Sequence, residues 1–527
     1  MTLGRSVLYP SRIVGTAVDV RLNEILAALS LACDVGNDFP MEKALRNTLL
    51  AVRLAAELGV RGEALSAVYY VGLLRFIGCS GYADETSRIF PDDNAMRGAM
   101  APVDFGYPVE GLRQAATLGR GTLGRTRAIA TMVVRGKRLG EELQRADCEV
   151  MIRGAQRLGL PAAVARGLGD AYQRWDGKGG PRGVRAEAIE MSARILAVAH
   201  QAEIHLRIGG PTAARTMIQR GAGGWFDPEI AETLLKHADR LLAPLSASSV
   251  WDAVLGEEPF PHVYVAVSRL QDIARLFGEI ADLKCAYTLG HSIGVADLAA
   301  GAAARLAFAD ADVEVIRTAG LLHDIGRLSV PTGIWNKPGP LSPSEWDRVR
   351  LHTYYTERTL SQSPLLAPAA RVASMHHERL DGSGYHRGVP ASMLSLPARI
   401  LAAADVYRAL TEHRPHRSAL DESAAASELQ SAAERGALDR QAIRAVCEAA
   451  GHRIKKRAGG WPAGLSDREV EVLRHLARGR SEKKIGELLF ISPGTVHTHV
   501  VHVYEKIGVS TRAAAALFAM EHDLLAQ

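Results

Sequence analysis

The sequence predicts an all-α protein of three parts: two related helical bundles in tandem and a four-helix module at the C-terminus. Three observations carry this expectation. Apolar residues recur at three- and four-residue spacing over long stretches, no alternating strand pattern stands out, and one string of residues returns 205 positions later with the same internal spacing.

At 527 residues the chain exceeds a single core and should hold about three domains. Hydrophobic residues make up 47% and charged residues 23%, an ordinary globular balance that argues against disorder. The stretch from Met1 to Val20 holds Arg5 and Arg12 but no apolar run of signal-peptide length, and no other stretch reaches a membrane span. A cytoplasmic location without a membrane partner is therefore expected. The five cysteines, Cys33, Cys79, Cys148, Cys285 and Cys447, are scattered, odd in number and contain no CxxC pair, which argues against a disulfide framework and a zinc ribbon.

The repeat defines the first two parts. Arg174-Trp175-Asp176-Gly177-Lys178-Gly179 precedes Ala193-Arg194-Ile195-Leu196-Ala197, and Arg379-Leu380-Asp381-Gly382-Ser383-Gly384 precedes Ala398-Arg399-Ile400-Leu401-Ala402. In both copies the two arginines are 20 residues apart. Gly72-Leu73-Leu74 matches Gly320-Leu321-Leu322, and Phe226-Asp227 matches Leu438-Asp439, in the same order. The copies fall within domains 1–243 and 262–452, with the Ser-, Pro- and Glu-rich residues near 244–260 expected as a linker. Helical periodicity is clearest in Leu22–Leu31, Ala44–Leu58, Val313–Leu322 and Ala398–Leu410.

The chemistry centres on His323-Asp324 at the end of an apolar helix. His291 lies 32 residues before His323 and His352 lies 29 after it; His376-His377 follow, and Asp405 sits 28 beyond His377. Imidazole nitrogens and carboxylate oxygens suit divalent iron, manganese or zinc, and facing helices of a bundle can bring several such ligands together.

The stretch 282–410, with its His-Asp, His-His-Glu and Asp-Gly-x-Gly-Tyr strings, resembles the HD-GYP family of metal-dependent phosphodiesterases, whose known substrate is cyclic di-GMP. The resemblance implies that His291, His323, Asp324, His352, His376, His377 and Asp405 hold two divalent ions, iron or manganese ahead of zinc. Asp324 would bridge them, and Asp324 and Arg327 would be the catalytic groups in attack on a nucleotide phosphoester. The ligand histidines must be neutral, so activity should fall on acidification. Two positions depart from the family: Arg327 stands where a lysine is usual, and His386 where the signature has proline.

Aligning the copies sets Asn47 against His291, Arg75 and Phe76 against His323 and Asp324, Ala171 and Tyr172 against His376 and His377, and His200 against Asp405. The first copy should therefore be metal-free, and a sensing or dimerisation role is expected. Its Gly119-Arg120-Gly121-Thr122-Leu123-Gly124 fits GxGxxG, but no strand precedes it, so it does not read as a nucleotide loop.

In the third part, 460–527, Ser466 and Glu469 form a capping box, Gly479 ends that helix, Ser481 caps the next, and Ser492-Pro493 opens another. The turn Phe490-Ile491-Ser492 joins two of them into a helix-turn-helix. Residues 464–520 resemble the LuxR-type DNA-binding domain. That resemblance implies double-stranded DNA as partner, a homodimer, and a helix from Pro493 entering the major groove with Thr495, His497 and His499 near bases or phosphates. His497 replaces the family's usual lysine, a loss that Lys483, Lys484 and Lys506 could offset. Arg453, Lys455, Lys456 and Arg457 extend the basic cluster. The combined expectation is a transcriptional regulator carrying a phosphodiesterase, the alternative being a receptor whose pocket only reports nucleotide or metal.

Overall fold

A computed structural model describes residues 19–104, 108–118, 121–451, 461–522 and 524–525. Arg5, Arg12, part of the GxGxxG string and the basic residues 453–457 lie outside them. The first bundle runs β1 (Asp19–Arg21), α1 (Leu22–Gly36), α2 (Lys43–Glu57), α3 (Gly62–Leu74), α4 (Ala83–Ser87), α5 (Asp93–Met100), α6 (Pro108–Leu118), α7 (Gly121–Arg157), α8 (Ala162–Gly169), α9 (Met191–Gly221), α10 (Pro228–Lys236) and α11 (Ala238–Leu242). After α12 (Trp251–Gly256), the second comprises β2 (Tyr264–Ala266), α13 (Leu270–Asp282), α14 (His291–Arg305), α15 (Asp310–Leu322), α16 (Thr332–Trp335), α17 (Pro343–Leu360), α18 (Ala367–Ala373), α19 (Leu396–Leu410), α20 (Glu422–Glu434) and α21 (Arg440–Ala450). The C-terminal module is α22 (Asp467–Ala477), α23 (Glu482–Leu489), α24 (Pro493–Ile507) and α25 (Arg512–Glu521). No helix among the described residues is long and apolar enough to cross a membrane.

Among the described residues the fold is all-α apart from one antiparallel strand pair, in which Val20 of β1 faces Val265 of β2. Each strand has three residues, too few for alternation to register in the sequence. The duplication reappears as geometry. Arg194 at the start of α9 reaches Asp227 over 2.8 Å, and Arg399 at the start of α19 reaches Asp439 over 3.0 Å; each aspartate also caps the following helix.

Residues 244–260 are not the loose linker their composition suggested. α12 packs on α2, and buried Glu258 receives Arg21 and, over 2.5 Å, the hydroxyl of Tyr70. Helix α1 is buried almost all round, so it sits between elements: α2 and α3 on one side, α17 and the Ile325–Ser329 turn on the other. The first bundle thus braces the second from behind its His-Asp turn.

The C-terminal module has its own small cores, Leu465, Val470, Leu473 and Val503 in one and Val472, Ile485, Val496 and Val500 in another. Helix α25 also turns Ala513, Ala516, Leu517 and Met520 into the core shared by the two bundles. Fully burying a side chain such as Leu517 contributes about 1.5–3 kcal/mol, so this docking is part of the fold and not a surface touch.

Candidate metal centre and DNA-reading face

Each histidine reaches the centre from a defined helix position. His291 begins α14, His323 ends α15, His352 lies within α17, and His376-His377 follow α18. Asp405 comes from α19. Gly326, two residues after Asp324, lies so close to α17 that a Cβ there would sit 2.0 Å from the carbonyl oxygen of His352. Only glycine allows that approach, and the approach brings Asp324 and His352 together.

Two ligand sets result. His291, His323 and Asp324 form one, and His352, His376 and His377 the other, with ligand atoms within 4.8 Å of one another in each. Asp324 spans them: Oδ2 lies 3.5 Å from His323 Nε2 and 3.9 Å from His291 Nε2, while Oδ1 lies 3.5 Å from both His352 Nε2 and His376 Nε2. Asp405 spans them as well, with Oδ1 3.2 Å from His291 Nε2 and Oδ2 3.7 Å from His377 Nδ1.

The outward nitrogens fix the rings. Nδ1 of His323, His352 and His376 meets the carbonyls of Gly320, Val349 and Ala373 at 2.7, 2.6 and 2.6 Å, so each ring donates outward and turns a lone pair inward. His323 Nε2 is buried and has no hydrogen-bond partner among the described residues. An inward, orphaned imidazole nitrogen facing carboxylate oxygens is a donor set made for a cation. The 3.2–3.9 Å spacings suit atoms sharing ions with bonds of about 2.0–2.2 Å.

Electrostatics agree. Burial depresses His323 to about 4 and His352 to about 3, so both stay neutral and ligand-ready. Burial alone would raise Asp324, but His323, Arg327 and the other imidazoles hold it well below the carboxylate range. His291 differs. Burial opposes its charge, yet Glu412 at 2.9 Å and Asp405 raise it to about 9.

Glu412 and Arg414 were missed in the sequence. Glu412 stands seven residues past Asp405 and takes the outer nitrogen of His291; Arg414 pairs with Glu412 over 2.9 Å at the edge of the centre. Arg327 donates to Asp324 Oδ2 over 2.8 Å and lies 3.9 Å over the Trp335 ring. His386 accepts from, or donates to, Thr353 over 2.9 Å, on the side of α17 that carries His352.

The matched positions of the first bundle also converge, around a different cation. Lys43 is fully buried, touches His200 Nδ1, and lies 4.3 Å from the Phe76 ring centre and 4.9 Å from that of Phe39. Arg75 donates to the Ala171 carbonyl over 3.0 Å. Lys43 occupies the Nδ1 side of the His200 ring, and Arg75 and Phe76 stand where the second bundle has His323 and Asp324. Burial brings the Lys43 ammonium down to about 7, against the pull of Glu203 and Asp34. Lys43 is not at a position matched to any ligand of the second bundle, so the repeat does not point to it.

In the C-terminal module the capping box of Ser466 and Glu469 is present, and Phe490 makes the turn in a left-handed conformation at 94% exposure. Helix α24 buries Val496, Val500, Val503 and Ile507 and leaves Thr495, His497, Thr498, Val501 and His502 exposed. Thr498, Val501 and His502 were not anticipated, although they follow from the helical spacing. His499 is half-buried, so it contributes to the edge of this face. His497 pairs with Glu482 over 2.9 Å and Lys484 with Glu487 over 3.0 Å, while Lys483 is exposed. Lys506 is exposed, and its ammonium holds Glu469 at 2.7 Å and the Gly464 carbonyl at 3.2 Å, a brace for the capping box.

Comparison with known proteins decides the family. A family profile described as HD domain matches residues 142–230 and again 275–442, and one described as bacterial regulatory proteins, luxR family, matches 463–519. A 3'3'-cGAMP-specific phosphodiesterase 3 of Vibrio cholerae is 31% identical over 413 residues, covering 76% of this chain and 88% of the relative. The chain belongs to the HD-GYP family. A cyclic di-GMP phosphodiesterase of Pseudomonas aeruginosa is 40% identical over 167 residues, 31% of this chain and 40% of that relative. The crystal structure of a cyclic GMP-AMP specific phosphodiesterase of V. cholerae superposes with a TM-score of 0.58 at 27% identity, covering 83% of this chain and 99% of that one. HD-GYP proteins are metal-dependent phosphohydrolases; here such a domain is joined to a LuxR-type DNA-binding domain.

Proposed function

We propose that the second bundle hydrolyses a phosphodiester bond of a cyclic dinucleotide and that the same chain regulates transcription through its C-terminal module. In this reading the parts are 1–243, 262–452 and 460–527. The observation that carries it is the position of Asp324, whose two oxygens each face a different pair of histidines.

Divalent cations held there would lower the pKa of a water and offset charge developing on phosphate oxygens. The residues then have distinct tasks. His291, His323, His352, His376 and His377 supply neutral nitrogens, and Asp324 and Asp405 tie the two sets into one unit. The Gly320, Val349 and Ala373 carbonyls and Glu412 orient the rings. Arg327, on Asp324, and Arg414, against His291, bring permanent positive charge to the centre, where a phosphate would need it. We assign Thr495, His497, Thr498 and His502 of α24 to bases and phosphates of double-stranded DNA, with Lys483 on the backbone, in a homodimer reading a two-fold site.

A second reading, a receptor without turnover, is favoured by one observation: Arg327 already engages the Asp324 oxygen that the first histidine set faces. The test is chromatography of products after incubating Mn²⁺- or Fe²⁺-loaded protein with cyclic di-GMP and with 3'3'-cGAMP. Linear dinucleotide from either, lost in Asp324→Asn, supports the hydrolase; binding of both without product supports the receptor.

A further inference from the structure

We infer that the first bundle, which lacks the ligand set, is the mechanical joint between the metal centre and the DNA reader, with Asp84 as the pivot. This rests on the reading of the second bundle as a metal site. Asp84 is buried at the start of α4 and is held from both sides. Its Oδ1 accepts from Asn336 of the second bundle over 2.8 Å, and its Oδ2 takes Arg512 of α25 at 3.1 Å.

Each side leads somewhere specific. Asn336 follows Trp335, whose indole nitrogen is buried without a hydrogen-bond partner among the described residues. Trp335 is positioned instead by the Arg327 guanidinium 3.9 Å from its ring centre, and Arg327 is held by Asp324 Oδ2. The path from the metal centre to Asp84 thus runs through touching side chains, Asp324, Arg327 and Trp335, and then along the backbone to Asn336. On the far side, α25 is fastened to the first bundle by Arg512 to Glu85 at 2.6 Å, Thr511 to Glu149 at 2.6 Å, Arg153 to Glu521 at 3.3 Å, and Arg153 over the Phe518 ring.

A divalent cation and Arg327 compete for the same oxygen of Asp324. Cation binding weakens the Asp324–Arg327 pair, Trp335 loses what positions it, and the Asn336–Asp84–Arg512 bridge relaxes. Because the cation then interacts differently with a tight and a loose bridge, it shifts the population between them, as coupling requires. The retained but ligand-free copy has a use in this scheme: it carries the dock for α25 and the brace for residues 325–336, where Asp93 holds Thr332 and Asn94 the Leu328 carbonyl, both also taking Lys284 from the end of α13.

The test is hydrogen exchange of α25 in the full chain, with and without Mn²⁺, alongside metal content. In wild type, Mn²⁺ should speed exchange of the Ala513–Met520 amides by about fivefold or more, the lower end of ordinary couplings. Asn336→Ala should bind the same Mn²⁺ and lose the response. Arg512→Gln, which cuts the other side of Asp84, should exchange quickly in both conditions. If the wild-type chain binds Mn²⁺ and α25 does not respond, or Asn336→Ala responds as wild type does, the joint is refuted. A chain that responds but turns over no cyclic dinucleotide leaves the joint standing and removes the hydrolase; one that takes up no Mn²⁺ removes both.

Discussion

Lys43 meets His200 inside the first bundle at the position where the second bundle sends Asp405 to its histidines. A lysine side chain stands where a metal centre would be, near the buried carboxyls of Asp34 and Glu203, both of which burial pushes up. Lys43→Met leaves the buried His200 nitrogen without its partner and should therefore destabilise the protein by about 1–3 kcal/mol. Denaturant titration measures this, and metal content should be unchanged.

Metal uptake should release a proton. His291, raised to about 9 against the effect of burial by Glu412 and Asp405, is protonated at neutral pH. Its charge stabilises the metal-free fold fully below the ordinary pKa of about 6.5, and that contribution fades as pH rises through about 9. A cation needs the neutral ring, so apparent Mn²⁺ affinity should climb about tenfold per pH unit between 7 and 9. His323 and His352, at about 4 and 3, are neutral throughout and add no slope. Calorimetry in buffers of different ionisation enthalpy counts the proton; a flat profile would show that His291 is neutral before loading.

Gly326→Ala should damage the site through packing. The added Cβ meets the His352 carbonyl at 2.0 Å and Thr356 N at 2.7 Å, both backbone atoms, so α17 must move. A cost of about 1–3 kcal/mol and weaker metal binding are expected, read by thermal melts and metal titration.

On the DNA reader, Lys483→Ala should reduce the salt slope of DNA binding by about one unit, as for a phosphate contact. Lys506→Ala should act differently. It removes the brace on Glu469, whose pKa Lys506 and Ser466 hold near about 2 against partial burial, so melting of the module should change more than the salt slope.

The features readable in the sequence were those with local or repeated signatures. The caps at Ser466, Ser481 and Ser492 are built within three residues, and each forms in the structure. The repeat placed Asp227 against Asp439, and both close the same ion pair with Arg194 and Arg399. Contacts distant in sequence left no such trace. Glu258 lies in a stretch with the composition of a loop, yet it is buried by Arg21 and Tyr70 more than 180 residues away. Lys43 carries no local signature in the sequence, and only the fold brings it to His200. The docking of α25 on α7 depends on Glu149 and Arg153, which look like an ordinary solvated helix face in the sequence.

The central claim is that two histidine sets joined by Asp324 hold metal in the second bundle alone. Elemental analysis of the Mn²⁺-loaded chain tests it most directly. The account predicts two ions per chain, one for each ligand set, and none in the His323→Ala, Asp324→Ala double variant. Wild-type protein without metal, or a double variant that keeps its full complement, would contradict it.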